Sequence, residues 1–231
     1  MVMVISDRNT ATIECLKLSP HFTGLDDCVL ERISRLMTVR RVEKQEIIWL
    51  EQEPARMIYF MASGLIKLFK TSAEGKEQIL RLVRPGDCFG HTGILNGGSN
   101  PESAQALAPS LLYGLMKRDL EALLREYEQL ALNTIKTLAT EMHHYISLVE
   151  DLSLRRVSGR LAKMLLEHSR KGVCDTSLIL TRADMAAMTG TVREVIGKSL
   201  RALEEKGVIR YNRHNIIIRD SEALRMMASS A

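Results

Sequence analysis

The stretch LTRADMAAMTGTVREVIGKSLRALEEKGVIRYNRHNIIIRD, residues 180–220, reads as a short helix, a turn at Thr189-Gly190, a second helix from about Val192, and a hairpin. Thr181 stands three residues before Asp184, and Thr191 three before Glu194, so both helices are expected to open with a capping box. Ala187 is small enough for a close helix crossing, and Gly190 can take a left-handed turn. Val195, Leu200 and Leu203 then face a core, which leaves Arg193, Glu194 and Lys198 exposed near the start of the second helix. These are the side chains that read base edges in a major groove: Arg and Lys donate to guanine, and Glu accepts from cytosine. Glu194 has a second role open to it, capping its own helix. Gly207 closes the helix, and the hairpin VIRYNRHNIIIR offers Arg210, Arg213 and Arg219 to phosphates, with Arg182 and Thr191 as further candidate DNA contacts.

The charge distribution agrees with a module that faces nucleic acid. Of the 231 residues, 155–231 hold 15 Lys and Arg against 8 Asp and Glu, a net +7, whereas the rest of the chain is at −3. With 45% apolar residues the chain can fill real cores. No apolar run approaches the roughly 18 residues of a membrane span, and MVMVISDRNT is unlike a signal peptide, so a cytoplasmic protein without a membrane partner is expected. Cys15, Cys28, Cys88 and Cys174 form no CxxC pair, which leaves neither a disulfide framework nor a zinc knuckle in view.

Upstream, the hydrophobic period changes twice. From about 40 to 116, short β-branched and apolar segments alternate with turn signals, as in a small antiparallel roll, with reversals expected at Ser63-Gly64, Glu74-Gly75 and Pro85-Gly86-Asp87. From Arg118 the period is helical. Ile135, Ala139, Met142, Ile146 and Val149 are spaced 4, 3, 4, 3, the rhythm of a coiled-coil seam; a parallel homodimer interface is expected, the alternative being a stripe packed on the chain's own core.

The order of these parts resembles a known family. GLIKLFKTSAEGKEQILRLVRPGDCFG (64–90), a long helix, VSGRLAKMLLEHS (157–169) and GTVREVIGKSLRALEEKGVI (190–209) are similar to the cyclic-AMP receptor protein/FNR family of bacterial transcription regulators, over about residues 17–220. The resemblance implies an α+β fold: an N-terminal, jelly-roll-like β-roll of the cyclic-nucleotide-binding type (1–125), a long dimerisation helix (126–154) and a C-terminal winged helix-turn-helix (155–231). It also implies a homodimeric activator that binds palindromic double-stranded DNA with TGTGA-like half-sites, contacts RNA polymerase, and is gated by an effector held between roll and long helix. The base-reading positions fall on Arg193, Glu194 and Lys198, the last replacing an Arg and so losing its bidentate fork.

The five glycines of GDCFGHTGILNGGSNPESAQA (86–106) suit a backbone cradle for an anion, yet the cassette departs from the family's cyclic-AMP site. The resemblance places a ribose-binding Glu at His91 and a phosphate-binding Arg at Glu102, just before Ser103, while the two hydroxyl side chains used against adenine fall on Tyr145 and Ile146. A carboxylate close to a phosphate repels it, so cyclic AMP is not expected to bind. Candidate effector contacts are Gly90, His91, Thr92, Glu102, Ser103, Met142, Tyr145 and Ile146. Three alternatives stay open: a small effector, apolar or aromatic; haem held by His91, His143, His144 or Cys88, with no metal otherwise; or control by synthesis or by thiol oxidation at Cys88 or Cys28. An iron-sulfur cluster lacks cysteines. A metal enzyme is not expected either, because residues 40–116 hold one histidine, and no GxSxG, P-loop or HExxH motif occurs.

Overall fold

A computed structural model describes residues 2–170, 173–174, 180–211 and 216–229; Arg213, expected at phosphate, lies outside the described residues. Helices α1 (Val2–Leu18) and α2 (Asp27–Leu36) lead into β1 (Thr38–Val42), β2 (Ile47–Trp49), β3 (Met57–Thr71), β4 (Glu77–Val83) and β5 (Cys88–Phe89). Then come α3 (His91–Leu95), β6 (Ser103–Met116), α4 (Lys117–Glu126), the long α5 (Glu128–Leu154) and α6 (Val157–Glu167). The chain ends with β7 (Ser169–Arg170), β8 (Val173–Cys174), α7 (Arg182–Thr189), α8 (Arg193–Glu205), β9 (Ile209–Tyr211), β10 (Ile216–Ile218) and α9 (Ser221–Ser229). These form two compact units, Met1–Lys70 with Arg81–His143, and Thr71–Leu80 with His144–Ala231. Among the described residues, no helix is long and apolar enough to cross a membrane.

The first unit is built on an antiparallel sheet in which β6 is the centre. It pairs with β1, β2 and β3, while β5 adds to β3. One expected reversal is absent: β3 runs straight through Ser63-Gly64. Its register against β6 shifts at Met61, Ser63, Leu65 and Ile66, so the extra residue is absorbed as a bulge. Gly64, at φ 101°, lies so close to β6 that an added Cβ would sit 2.1 Å from Ser110 Oγ. Apolar residues on both sides of Gly64 keep pairing with β6, and that pairing overrides the local turn signal. The other two reversals form, closed by Ser72 N–H to Lys76 O at 2.9 Å and by Asp87 N–H to Arg84 O at 2.9 Å. Phe22, Ile58, Phe60, Leu115, Leu120 and Leu123 make one core cluster, and Trp49, Tyr59, Phe89 and Leu112 another. On α5, Leu130, Asn133, Thr134 and Glu141 are buried.

In the second unit α6, α7 and α8 pack with α9 around Leu161, Leu165, Ile196, Leu200, Leu203 and Leu224, and β7, β8, β10 and β9 form a small sheet. The first capping box forms, with Asp184 N–H donating to Thr181 Oγ1 at 3.2 Å and Thr181 N–H to Asp184 Oδ2 at 2.8 Å. The second does not. Val192 is the N-cap of α8, which puts Thr191 and Glu194 out of register, and Thr191 N–H instead bonds Ala186 O at 3.0 Å to close the turn. The core face is likewise corrected: Ile196 is fully buried and Val195 only half-buried, because 196, 200 and 203 share one helical face and 195 does not.

Candidate functional site

The helix-turn-helix places its expected reading residues on one surface. Gly190 ends α7 in a left-handed conformation, and α8 buries Ile196, Leu200 and Leu203 while Glu194 and Lys198 stay exposed on its other side and Arg193 is exposed at its first residue. Arg182, at the start of α7, lies 5.3 Å from the Tyr211 ring centroid and donates to its hydroxyl at 3.1 Å, so α7 and the wing hold each other. Arg210, on β9, is exposed, and Thr191 is half-buried in the turn. Cationic side chains held at the open end of a rigid helix, with its apolar face already spent on the core, are suited to a polyanion.

The cassette is organised differently, around buried charge. β5 delivers Cys88, and two residues later the chain must reverse to start α3 at His91. Gly90 makes that reversal at φ 89°, where an added Cβ would lie 2.8 Å from Met57 O and 3.1 Å from the Trp49 ring. His91 is thereby folded back over Cys88. Its Nδ1 lies 3.4 Å from Cys88 Sγ, and its Nε2 lies 2.8 Å from Glu141 Oε2, supplied by α5. The Arg81 guanidinium donates both to the other Glu141 oxygen and to the Cys88 carbonyl. On the far side of the sulfur, His21 Nε2 is 3.5 Å away, in a segment tied down by Asn133 Nδ2, which donates to His21 O at 2.9 Å and Thr23 O at 2.7 Å.

These groups fix one another's protonation. Burial alone would raise the Cys88 thiol, but the charges and hydrogen bonds of His21 and His91 outweigh it and bring the pKa down to about 6. Burial would lower His91, yet Cys88 and Glu141 raise it to about 10. Glu141 is held below the usual carboxylate range despite its burial, through His91 and Arg81, whereas burial pushes Glu102 up. The side chains thus form one buried chain of hydrogen bonds, from Arg81 through Glu141 and His91 to Cys88.

A cavity of about 350 Å³ opens beside it, lined among others by His21, Arg81, Asp87, Cys88, Thr137 and Glu141. The residues expected to hold an effector are not its walls. Gly90, Thr92, Glu102, Ser103, Met142, Tyr145 and Ile146 do not line it, and His91 reaches it only through Cys88 and Glu141. Ser103 Oγ is occupied, accepting from Glu51 N–H at 2.9 Å. For Met142 the reason is rotational: Asn133, Thr137 and Glu141 form the face turned to the roll, and Met142 sits about 100° from Glu141. His143 and His144 are both exposed and outside the cavity, while Cys88 and His91 are buried in contact with each other and both ring nitrogens of His91 are engaged. His21, Arg81 and Glu141 escaped sequence reasoning: His21 and Glu141 lie seventy and fifty residues from His91, and Arg81 stands on β4 with no motif that links it to them.

With this geometry in hand, comparison with known proteins is direct. The cyclic nucleotide-binding domain family matches residues 39–127, and the Crp-like helix-turn-helix domain family matches 159–227. The chain is 30% identical over 213 residues to the Cyclic AMP receptor protein of Thermus thermophilus, covering 92% of this chain and 98% of that one. It is 24% identical over 217 residues to the CRP-like cAMP-activated global transcriptional regulator of Mycobacterium tuberculosis, covering 91% and 97%. Among solved structures, FixK2 from Bradyrhizobium japonicum shares the fold with a TM-score of 0.77 at 24% identity, over 84% of this chain and 98% of that one. These relatives are regulators, not enzymes, and the two matched domains stand in the same order as the roll and the helix-turn-helix described above: the chain belongs to the CRP/FNR family of transcription regulators, with an effector-binding domain and a helix-turn-helix DNA-binding domain.

Proposed function

We propose that the protein works in the cytoplasm as a homodimer that binds palindromic DNA with TGTGA-like half-sites, activates transcription through RNA polymerase, and is gated by a small effector other than cyclic AMP. In this reading residues 1–125 sense, 126–154 pair the protomers and 155–231 bind DNA. The observation that carries it is the surface of α8, where Glu194 and Lys198 are exposed opposite buried Ile196, Leu200 and Leu203 and Arg193 is exposed at the first residue of the helix. Arg193 and Glu194 would read a G·C step, with Arg182, Thr191, Arg210 and Arg213 on the backbone. The seam is supported by exposure on α5: Ile135 is 62% exposed, Met142 58%, Ile146 56% and Val149 63%, a stripe of apolar surface that a second copy would cover. Ile146→Lys should then bury a charge at the dimer axis and give a monomer in light scattering.

Two relatives are named for cyclic AMP. The departure here rests on Glu102, buried at the position where the family resemblance implies the phosphate-binding Arg, and on Arg81, already held by Glu141 and the Cys88 carbonyl. Cyclic AMP should bind no more tightly than about millimolar, near −4 kcal/mol. Selection from random DNA tests the half-site, and calorimetry tests the ligand. A non-palindromic selected motif overturns the first part, and micromolar cyclic AMP binding with a parallel rise in DNA affinity overturns the second.

A further inference from the structure

We propose that Cys88, His91 and Glu141 form a nucleophile relay in which the Cys88 thiol adds covalently to a small α,β-unsaturated carbonyl compound admitted to the cavity beside it. The arrangement is a thiol, a base and a carboxylate that orients the base: Cys88 Sγ lies 3.4 Å from His91 Nδ1, and the opposite ring nitrogen, Nε2, lies 2.8 Å from Glu141 Oε2. The imidazole stands between the other two. An ionised carboxylate only accepts, so Nε2 carries the hydrogen and Nδ1 turns its lone pair to the thiol. Arg81 donates to the second Glu141 oxygen and keeps that carboxylate ionised. A buried cysteine without such partners is inert, and Cys15 in the same unit shows it: burial pushes its thiol up to about 11, whereas His21 and His91 bring Cys88 down to about 6.

The cavity selects the class of reactant. Cys88 and His21 line it and His91 does not, so a molecule inside meets the thiol rather than the base. Its volume of about 350 Å³ is at the small end for ligand pockets, with room for a short-chain or single-ring compound and far more than a peroxide needs. Lys136 and Arg81 are in its wall, which puts cationic groups beside a carbonyl oxygen as it gains negative charge; Asp87, in the same wall, accepts from Arg84 N–H at 2.8 Å. In the reaction His91 Nδ1 takes the thiol proton, the sulfur pair forms a bond to the β carbon, and the C=C pair moves toward the carbonyl oxygen as an enolate. Solvent then protonates the α carbon, and His91 returns its proton to solvent. The sum is addition of S–H across C=C, with no oxidant and no leaving group, so the thioether stays as a mark on the protein and nothing turns over. That the adduct gates DNA binding rests on the reading of the roll as a sensor; that it forms does not.

But-2-enal is the probe, added to the full-length protein at neutral pH, with saturated butanal as its control. The first equivalent of enal should map by peptide mass spectrometry to Cys88, buried at 2% exposure, at a rate at least tenfold above that of the exposed Cys28, and butanal should add nothing stable. His91→Asn should slow the addition at least tenfold and raise its half-rate point from near pH 6 by about one pH unit or more, because His91 and His21 are the groups that hold the thiol down against its burial. Glu141→Gln should move the profile in the same direction, while the other charged groups of the cavity wall, Arg81, Asp87 and Lys136, stay in place. Circular dichroism confirms that each variant is folded; should neither fold, the ratio of the Cys88 and Cys28 rates in the wild type decides alone. Reaction at Cys28 ahead of Cys88, reaction at Cys88 only after denaturation, reaction with hydrogen peroxide but not with the enal, or an unchanged pH profile in folded His91→Asn overturns the relay. DNA affinity with and without the adduct is a separate measurement. A tenfold or larger change in the wild type and none in Cys88→Ser supports the gating role, and no change with the adduct in place removes that role, whereas failure of DNA selection counts against the regulator reading alone.

Discussion

Charged residues occupy both the reading face of α8 and the interior of the β-roll, under opposite physical conditions. Arg193, Glu194 and Lys198 stand in water on a helix whose stability comes from buried Ile196, Leu200 and Leu203. Arg81, His91, Glu141 and Cys88 are withdrawn from water and satisfy one another. A solvated charge costs little to keep and little to remove, so α8 can vary its reading residues without losing its fold. A buried charge is tolerable only while its partners remain, so the roll cannot lose one member without leaving the others exposed to a low dielectric. Recognition of a rigid external polyanion suits the first arrangement, and response to something that enters the interior suits the second.

The contrast can be broken most severely at Arg81. Arg81→Ala leaves Glu141 with one partner fewer in a buried site and should cost about 3–5 kcal/mol in denaturant unfolding, against a change within about 0.5 kcal/mol for Arg193→Ala. Equal losses from the two substitutions would erase the distinction. Gly90→Ala should cost about 1–3 kcal/mol in the same measurement, because it forces a left-handed non-glycine residue against Met57 O and displaces His91 from Cys88. Stability unchanged by that substitution would mean the turn is not strained as described.

On the DNA side, Arg193→Ala should cost about 1–3 kcal/mol in binding and relax preference at one base position, seen by competition among half-site variants. The smallest effect is expected from Arg210→Ala, which should weaken all sequences alike and lower the slope of log affinity against log salt by about 1. A base-specific loss there would place β9 in a groove rather than on the backbone.

How much of this was legible varies with the distance along the chain between interacting residues. The helix-turn-helix was read from local signals: Thr181 with Asp184, Gly190, Gly207 and the apolar spacing of α8 all act within one or two turns. Even there the second capping box does not form: Thr191 N–H bonds Ala186 O, and α8 starts one residue later than the spacing predicts. In the roll, Ser63-Gly64 looked like a reversal, but pairing with β6, some forty residues on, converted it to a bulge. No local pattern connects His91 with Glu141, or these with Arg81 and His21, which meet around Cys88 only in the folded chain.

The sequence by itself determined the order of elements, the basic character of the C-terminal part and the apolar spacing of α8, since each depends on residue type and short-range periodicity. Which face of α5 turns toward the roll was decided only by the tertiary structure. A helix of 27 residues with apolar and polar stripes can present either, and burial of Leu130, Asn133, Thr134 and Glu141 selects the one that carries the carboxylate to His91. That contact joins residues fifty apart through a strand, a left-handed glycine and a helix, and its energy comes from excluding water around charges that no local pattern brings together.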